Sequence, residues 1–214
     1  MKNRIRVMML LFVLCFCAAQ SQAELITINL SATVNYVEDI GNKLEGKINV
    51  GSTITGYYTY DSTTLDSSPS DPTQGNYWYY SSPAGIFLTV GGFNFGTNPD
   101  NVNFLVSIGN NASGQDNYLV RSYNNSPLSN GALVGNIDWQ LDDHTATVFS
   151  SDVLPVTEPV LDQWQTNVLS IYGGGADDFF IDADVTSVQL VPEPATFLLL
   201  TAGVLILKRR INIS

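Results

Sequence analysis

Ile26, Ile28, Leu30, Ala32, Val34 and Tyr36 alternate with Thr27, Asn29, Ser31, Thr33 and Asn35. A strict period of two puts the apolar side chains on one face of an extended chain and the polar ones on the other. That is a strand half-buried against a core, and it is incompatible with a helix. Ile54, Gly56, Tyr58 and Tyr60 repeat the pattern, as do Val102, Phe104, Val106 and Ile108, and Phe179, Ile181, Ala183 and Val185. Shorter strands are predicted near 44–50, 77–80, 86–92, 117–122, 133–140, 146–149 and 165–172. Turn residues stand between them: Asp39-Ile40-Gly41-Asn42, Asn98-Pro99-Asp100, Gly109-Asn110-Asn111, Ser129-Asn130-Gly131 and Gly173-Gly174-Gly175. Only 158–165 has room for a helical turn. Many short strands with regular turns predict an all-β domain over 24–191, an antiparallel β-sandwich with jelly-roll-like topology.

Charge narrows the partners of that domain. Six of the nine Lys and Arg residues lie near the two ends of the sequence, leaving Lys43, Lys47 and Arg121 against nineteen Asp and Glu between Glu24 and Asp184. Such a surface repels nucleic acid and anionic lipid headgroups, and suits a soluble secreted protein, or one that binds cations or neutral sugars. Both cysteines, Cys15 and Cys17, sit in an apolar N-terminal run, so the domain has no disulfide, thiol nucleophile or cysteine-based metal site.

The flanking segments read as addresses. Lys2, Arg4 and Arg6 precede the apolar stretch Val7 to Ala19 and then Gln20-Ser21-Gln22-Ala23. This order predicts a signal peptide over 1–23, cleaved between Ala23 and Glu24. At the other end, Val191-Pro192-Glu193-Pro194-Ala195-Thr196 precedes an apolar run from Phe197 to Leu207 and then Lys208-Arg209-Arg210. Prolines on both sides of Glu193 predict an exposed hinge. The apolar run predicts a membrane helix over about 195–207, with the basic triplet on the cytoplasmic side.

Taken in order, Pro192-Glu193-Pro194, the apolar helix and Lys208-Arg209-Arg210 resemble the C-terminal PEP-CTERM sorting signal of exported Gram-negative bacterial proteins. The resemblance covers roughly 191–210. It implies export, transient anchoring in the inner membrane, processing near Pro-Glu-Pro by an exosortase-type enzyme, and delivery to the cell surface or an extracellular polysaccharide matrix. Within the domain, Gly51-Ser52-Thr53-Ile54-Thr55-Gly56-Tyr57-Tyr58-Thr59-Tyr60-Asp61 resembles a strand of the same group of proteins, for which the resemblance implies no reaction.

Four regions of the domain carry candidate chemistry. If 178–186 is a strand, Asp178, Asp182 and Asp184 share a face beside Asp177, and a bound Ca²⁺ would relieve their repulsion with carboxylate and carbonyl oxygens. Without it they form a solvated polar face that blunts a sheet edge. In the loop 61–76, Asp61, Asp66 and Asp71 follow a five-residue spacing that matches no metal motif, and a mobile surface loop is the simpler reading. Tyr77-Trp78-Tyr79-Tyr80 alternates one pair toward the core and one outward, and outward aromatics beside polar groups are how sugar-binding sandwiches stack on pyranose rings. Trp139 and Trp164 read as core. Catalysis has the weakest support. His144 has no nucleophilic serine motif to serve, one histidine is too few for a metallohydrolase, and Glu38, Glu45 and Glu158 have no motif around them beyond what two-carboxylate glycan hydrolysis requires. The sequence therefore predicts a non-enzymatic exported surface or matrix protein with a structural or adhesive role and no cofactor. A carbohydrate-binding module, with or without Ca²⁺, is the alternative, and a glycan hydrolase the third reading.

Overall fold

The computed structural model describes residues 25–175 and 178–192. The expected signal-peptide cleavage at Ala23 and Glu24 lies outside the described residues, as do Asp177 and the tail from Glu193 onward, including Pro194, the segment expected as a membrane helix, Lys208, Arg209 and Arg210. Among the described residues no helix is long and apolar enough to cross a membrane.

Among the described residues, ten strands form one antiparallel sheet. They are β1 (Leu25–Asp39), β2 (Thr53–Asp61), β3 (Gln74–Tyr79), β4 (Gly85–Val90), β5 (Phe93–Gly96), β6 (Phe104–Ala112), β7 (Gln115–Ser122), β8 (Val134–Asp143), β9 (Thr166–Gly173) and β10 (Phe179–Leu190). Their order across the sheet is β3-β6-β7-β8-β9-β10-β1-β2-β4-β5. The all-β antiparallel class is the one that the alternation predicts. The two stacked sheets of a jelly-roll-like sandwich are not separate here, because every strand of the described residues belongs to a single sheet that curls toward its apolar face. Distant strands meet across the interior. Tyr58 on β2 packs edge-on against Trp139 on β8, with ring centroids 5.8 Å apart, and its hydroxyl bonds Tyr118 on β7 at 2.9 Å. Phe95 on β5 meets Phe179 on β10 at 6.0 Å.

Both edges of the sheet are tied down, which removes the templates on which such sheets aggregate. Beyond β5, Thr97 bridges Asn125, and the Gly96 carbonyl accepts the Ser126 N–H. Beyond β3, Ser67 donates its N–H to the Asn76 carbonyl, and the Tyr77 hydroxyl reaches the Asp152 carbonyl at 2.9 Å.

Four local expectations are corrected. Residues 44–50 form turns, because Asn42, Glu45, Gly46 and Gly51 take positive φ angles that an extended run cannot contain. Leu44 and Ile48 still reach the core from those turns. Residues 146–149 form no strand, since the Asp143 carboxylate occupies the N–H groups of Thr147 and Val148 that a ladder would use. Strand β6 runs through Gly109-Asn110-Asn111 and turns at Ser113-Gly114 instead. The stretch 86–92 is the first arm of a hairpin: Val90 pairs with Phe93, and Gly91 and Gly92, both at positive φ, form the two-residue turn. The helical turn expected within 158–165 is present as a short 3-10 helix over Leu161–Gln163.

Candidate functional site

Strand β3 sorts its aromatics by alternation. Tyr77 and Tyr79 are buried, and the Tyr79 hydroxyl bonds the Asp61 carbonyl at 3.0 Å. Trp78 and Tyr80 take the outer face, where Trp78 is half-buried and Tyr80 is exposed. Their rings lie parallel at 3°, with centroids 6.3 Å apart. Tyr123, one residue past β7, also stacks on Trp78, with ring centroids 5.5 Å apart. Tyr123 has no local signal that places it beside Trp78. Pairing of β3 with β6 and of β6 with β7 brings them together, through Trp78 opposite Leu105 and Leu105 opposite Arg121. Leu105 is buried although it lies outside the main core cluster.

Polar groups flank the rings. Arg121 lies 5.7 Å from the centre of the Tyr123 ring and sends Nε–H and Nη2–H to the two Asp138 oxygens, each at 2.8 Å. Burial raises the Asp138 carboxyl above the usual carboxylate range even though the guanidinium pulls it down. The same pair keeps Arg121 firmly protonated. The pair is a bidentate clamp that fixes both side chains and cancels the charge of Arg121. A groove of about 450 Å³ opens beside Trp78 and Tyr80, with Asp61, Thr64, Ser81 and Ser82 in its wall. A second groove of about 520 Å³ lies beyond Ser82–Ala84, flanked by the stacked Tyr57 and Phe87, and it has no charged side chain in its lining.

The acidic candidates divide differently from the expectation. Asp182 accepts a hydrogen bond from the Ser170 hydroxyl, Asp178 accepts the Gly175 N–H at 2.6 Å, and Asp184 is exposed opposite Thr33. Among the described residues no three His, Cys, Asp or Glu side chains gather as a metal site. In the 61–76 loop each carboxylate caps the residue two positions on: Asp61 takes the Thr63 N–H, Asp66 the Ser68 N–H and Asp71 the Thr73 N–H. The five-residue spacing is therefore a series of short side-chain-closed turns. The three-residue pattern Asp-x-Thr or Asp-x-Ser is the sequence signal for them. The candidate carboxylates for hydrolysis are also placed: Glu45 pairs with Lys47 in the open, Glu38 accepts from the Tyr36 hydroxyl, and Glu158 lines a cavity with Tyr118 and Trp164. His144 is exposed on a turn, and its N–H donates to Gln165.

Sequence reasoning missed two fully buried carboxylates, Asp116 and Asp143, which face each other across β7 and β8. Asp116 takes the N–H groups of Asn111 and Phe149, and Asp143 those of Thr145, Thr147 and Val148. With their oxygens so occupied, they organise the 143–149 segment. Hydrogen bonds, the Thr145 hydroxyl first among them, hold the Asp143 carboxyl well below the usual carboxylate range. A depressed folded pKa contributes stability that is complete above the unfolded value of about 3.9 and is lost as pH falls through the folded one. Between about pH 4 and pH 2, the protein should therefore lose more stability than Asp143→Asn does. Parallel acid-unfolding profiles for the two would remove Asp143 from this role.

No protein-family model matches this chain, and neither a curated protein nor a solved structure does.

Proposed function

We propose that this is a non-enzymatic exported protein of the cell surface or extracellular matrix that adheres to polysaccharide through Trp78, Tyr80 and Tyr123. The observation that carries this reading is the group of three stacked rings on the outer face of the sheet, beside a groove with Asp61, Thr64, Ser81 and Ser82 in its wall and a fixed Arg121–Asp138 pair. Flat aromatic faces offer apolar contact to the C–H surfaces of pyranose rings, while neighbouring polar groups bond their hydroxyls. The curled sheet serves as a sandwich-like body that holds this face rigid. The PEP-CTERM-like order at 191–210 accounts for delivery: an exosortase-type enzyme would process the tail after transient anchoring in the inner membrane.

Retardation in gels containing neutral polysaccharides tests the reading. Trp78→Ala is expected to weaken binding about tenfold, equivalent to roughly 1.4 kcal/mol. Unchanged retardation in that variant would place adhesion elsewhere on the molecule. The same preparation, recovered from the matrix fraction, should give a mature mass that starts at Glu24 and ends near Glu193. Full-length protein retained in the inner membrane would remove the sorting part of the proposal.

A further inference from the structure

The three rings around Trp78 are one end of a longer feature. In register, the outer-face row that begins at Trp78 continues through Leu105, Arg121 and Asp138 to Ser170 on β9 and Asp182 on β10, and it finishes at Tyr36 on β1. Two residues along each strand, on the same face, Tyr172 on β9 lies opposite Phe180 on β10. Phe180 is in contact with both Tyr172, at 4.8 Å between centroids, and Tyr36, at 5.9 Å. Tyr36 and Tyr172 are 47% and 40% exposed, more than a core role requires. Two aromatic clusters thus stand at the ends of a crosswise band; between them Leu105, Asp138 and Ser170 are buried, and from Arg121 to Asp182 the side chains are polar and already fixed. Arg121 is clamped by Asp138, and Ser170 donates to Asp182.

We propose that this band is one extended binding track for a single flexible chain of neutral polysaccharide lying across the strands. The proposal rests on the polysaccharide-adhesion reading and goes further by fixing the length, charge and direction of the ligand. Length follows from strand spacing. Trp78 on β3 and Phe180 on β10 are five strands apart, roughly 24 Å along the surface at about 4.8 Å per strand. That is several sugar rings, so a short oligosaccharide fills only one cluster. Charge follows from the domain's three cations. Lys47 is paired with Glu45 and Arg121 with Asp138, and Lys43 stands alone against nineteen Asp and Glu, so the surface repels an anionic chain. Shape follows from the curl of the sheet toward its apolar core. The outer face bulges across the strands, so a flexible chain wraps from one cluster to the other where a flat crystalline surface touches only one.

The test uses the protein with soluble hydroxyethyl cellulose, galactomannan and dextran as neutral polymers, alginate as the anionic one, and microcrystalline cellulose as a flat solid. Oligosaccharides of three and eight units cut from the best-bound neutral polymer complete the set. The octamer is expected to bind at least about thirtyfold more tightly than the trimer. Tyr172→Ala and Tyr36→Ala are each expected to weaken polymer binding about tenfold, as Trp78→Ala does. Tyr57→Ala, an equally exposed aromatic outside the band, should leave it unchanged, and thermal melts check that all four variants are folded. If no neutral polymer binds, both the adhesion reading and the track fall. If Trp78→Ala weakens binding but Tyr172→Ala and Tyr36→Ala do not, and the octamer matches the trimer, adhesion stands and the track is overturned. Binding of alginate as tight as the neutral polymers would overturn the assignment of charge, and preference for the flat solid would overturn the wrapped chain. Self-association that Tyr172→Ala abolishes, with polymer binding intact, would make this face a contact between copies instead.

Discussion

Trp139→Ala is expected to cost about 3–5 kcal/mol of folding stability and to lower the melting temperature by about 10 °C. Trp139 is fully buried, with Tyr58 and Tyr118 both edge-on to it at 5.8 Å. These three side chains come from β2, β7 and β8, so the contact joins the two facing halves of the curled sheet. Truncation leaves a large void, because the neighbouring rings are held by their own hydroxyl bond and cannot collapse into it. It also strands a polar partner. The indole N–H donates to Asn167, whose amide in turn bonds the Val185 carbonyl, and removing the donor leaves Asn167 Oδ1 without one. Against a typical total of about 5–15 kcal/mol, such a loss takes much of the margin. Urea unfolding followed by fluorescence measures it. A loss below about 1 kcal/mol would mean that the two halves do not close around this residue.

Gly56→Ala is the second large effect, expected at about 3 kcal/mol, and it arises from backbone rather than packing. A Cβ at Gly56 would lie 2.0 Å from the Phe87 carbonyl oxygen and 2.8 Å from the Leu88 Cα, both on the neighbouring strand β4. No rotamer relieves a clash with main chain. Strands β2 and β4 would have to separate where Gly56 pairs with Leu88, which breaks the ladder that carries the β4–β5 hairpin. Gly92→Ala is the matched control: it sits at φ +80 with no atom within 4 Å of the added methyl. It should cost only the strain of that backbone conformation, about 1 kcal/mol. Equal melting temperatures for the two variants would show that β2 and β4 do not approach as closely as this.

Much of the sheet was legible because alternation is a local property. Strand β1 is read directly from Ile26 to Tyr36, and its inward set is buried as far as Val34. Beyond that point a pairing irregularity between Val34 and Tyr36 turns Tyr36 outward, which alternation alone does not register. The misread 44–50 segment has strand-like composition, yet its φ angles are set by turns closed on Asp39, whose carboxylate takes the N–H groups of Lys43 and Leu44. Segment 146–149 fails for a related reason. Its Thr, Val and Phe suit a strand, but Asp143 and Asp116 hold its donors from outside the window.

The candidate site was half legible. Alternation separates Trp78 and Tyr80 from Tyr77 and Tyr79, and the structure keeps that division. It gives no hint of Tyr123, Tyr172, Phe180 or Tyr36, which reach the same face only through the register of the six pairings from β3 to β1. Single-sheet topology was hidden for the same reason: turn signals mark where strands end and are silent on which strands become neighbours. The acidic run at 178–184 shows the converse limit. Its spacing suggested one face, yet Asp178 folds back on Gly175 before the strand begins.

One feature of the topology bears on how the molecule assembles over time. Strands β6 to β9 form a meander and β1, β2, β4 and β5 a second neighbourhood, and the two are joined side by side only by β10. That strand binds β9 on one flank and β1 on the other, pairing Leu190 with Ile28 from opposite ends of the described chain. Each half has mostly local partners and little loop closure to complete. Their union requires a pairing of very high sequence separation, the slow step in sheets of this kind. Until β10 arrives, β1 and β9 each expose an unpaired edge, and the nascent protein is at its most vulnerable to aggregation. A chain built this way remains open until its last strand is available, which is compatible with crossing a membrane before it folds.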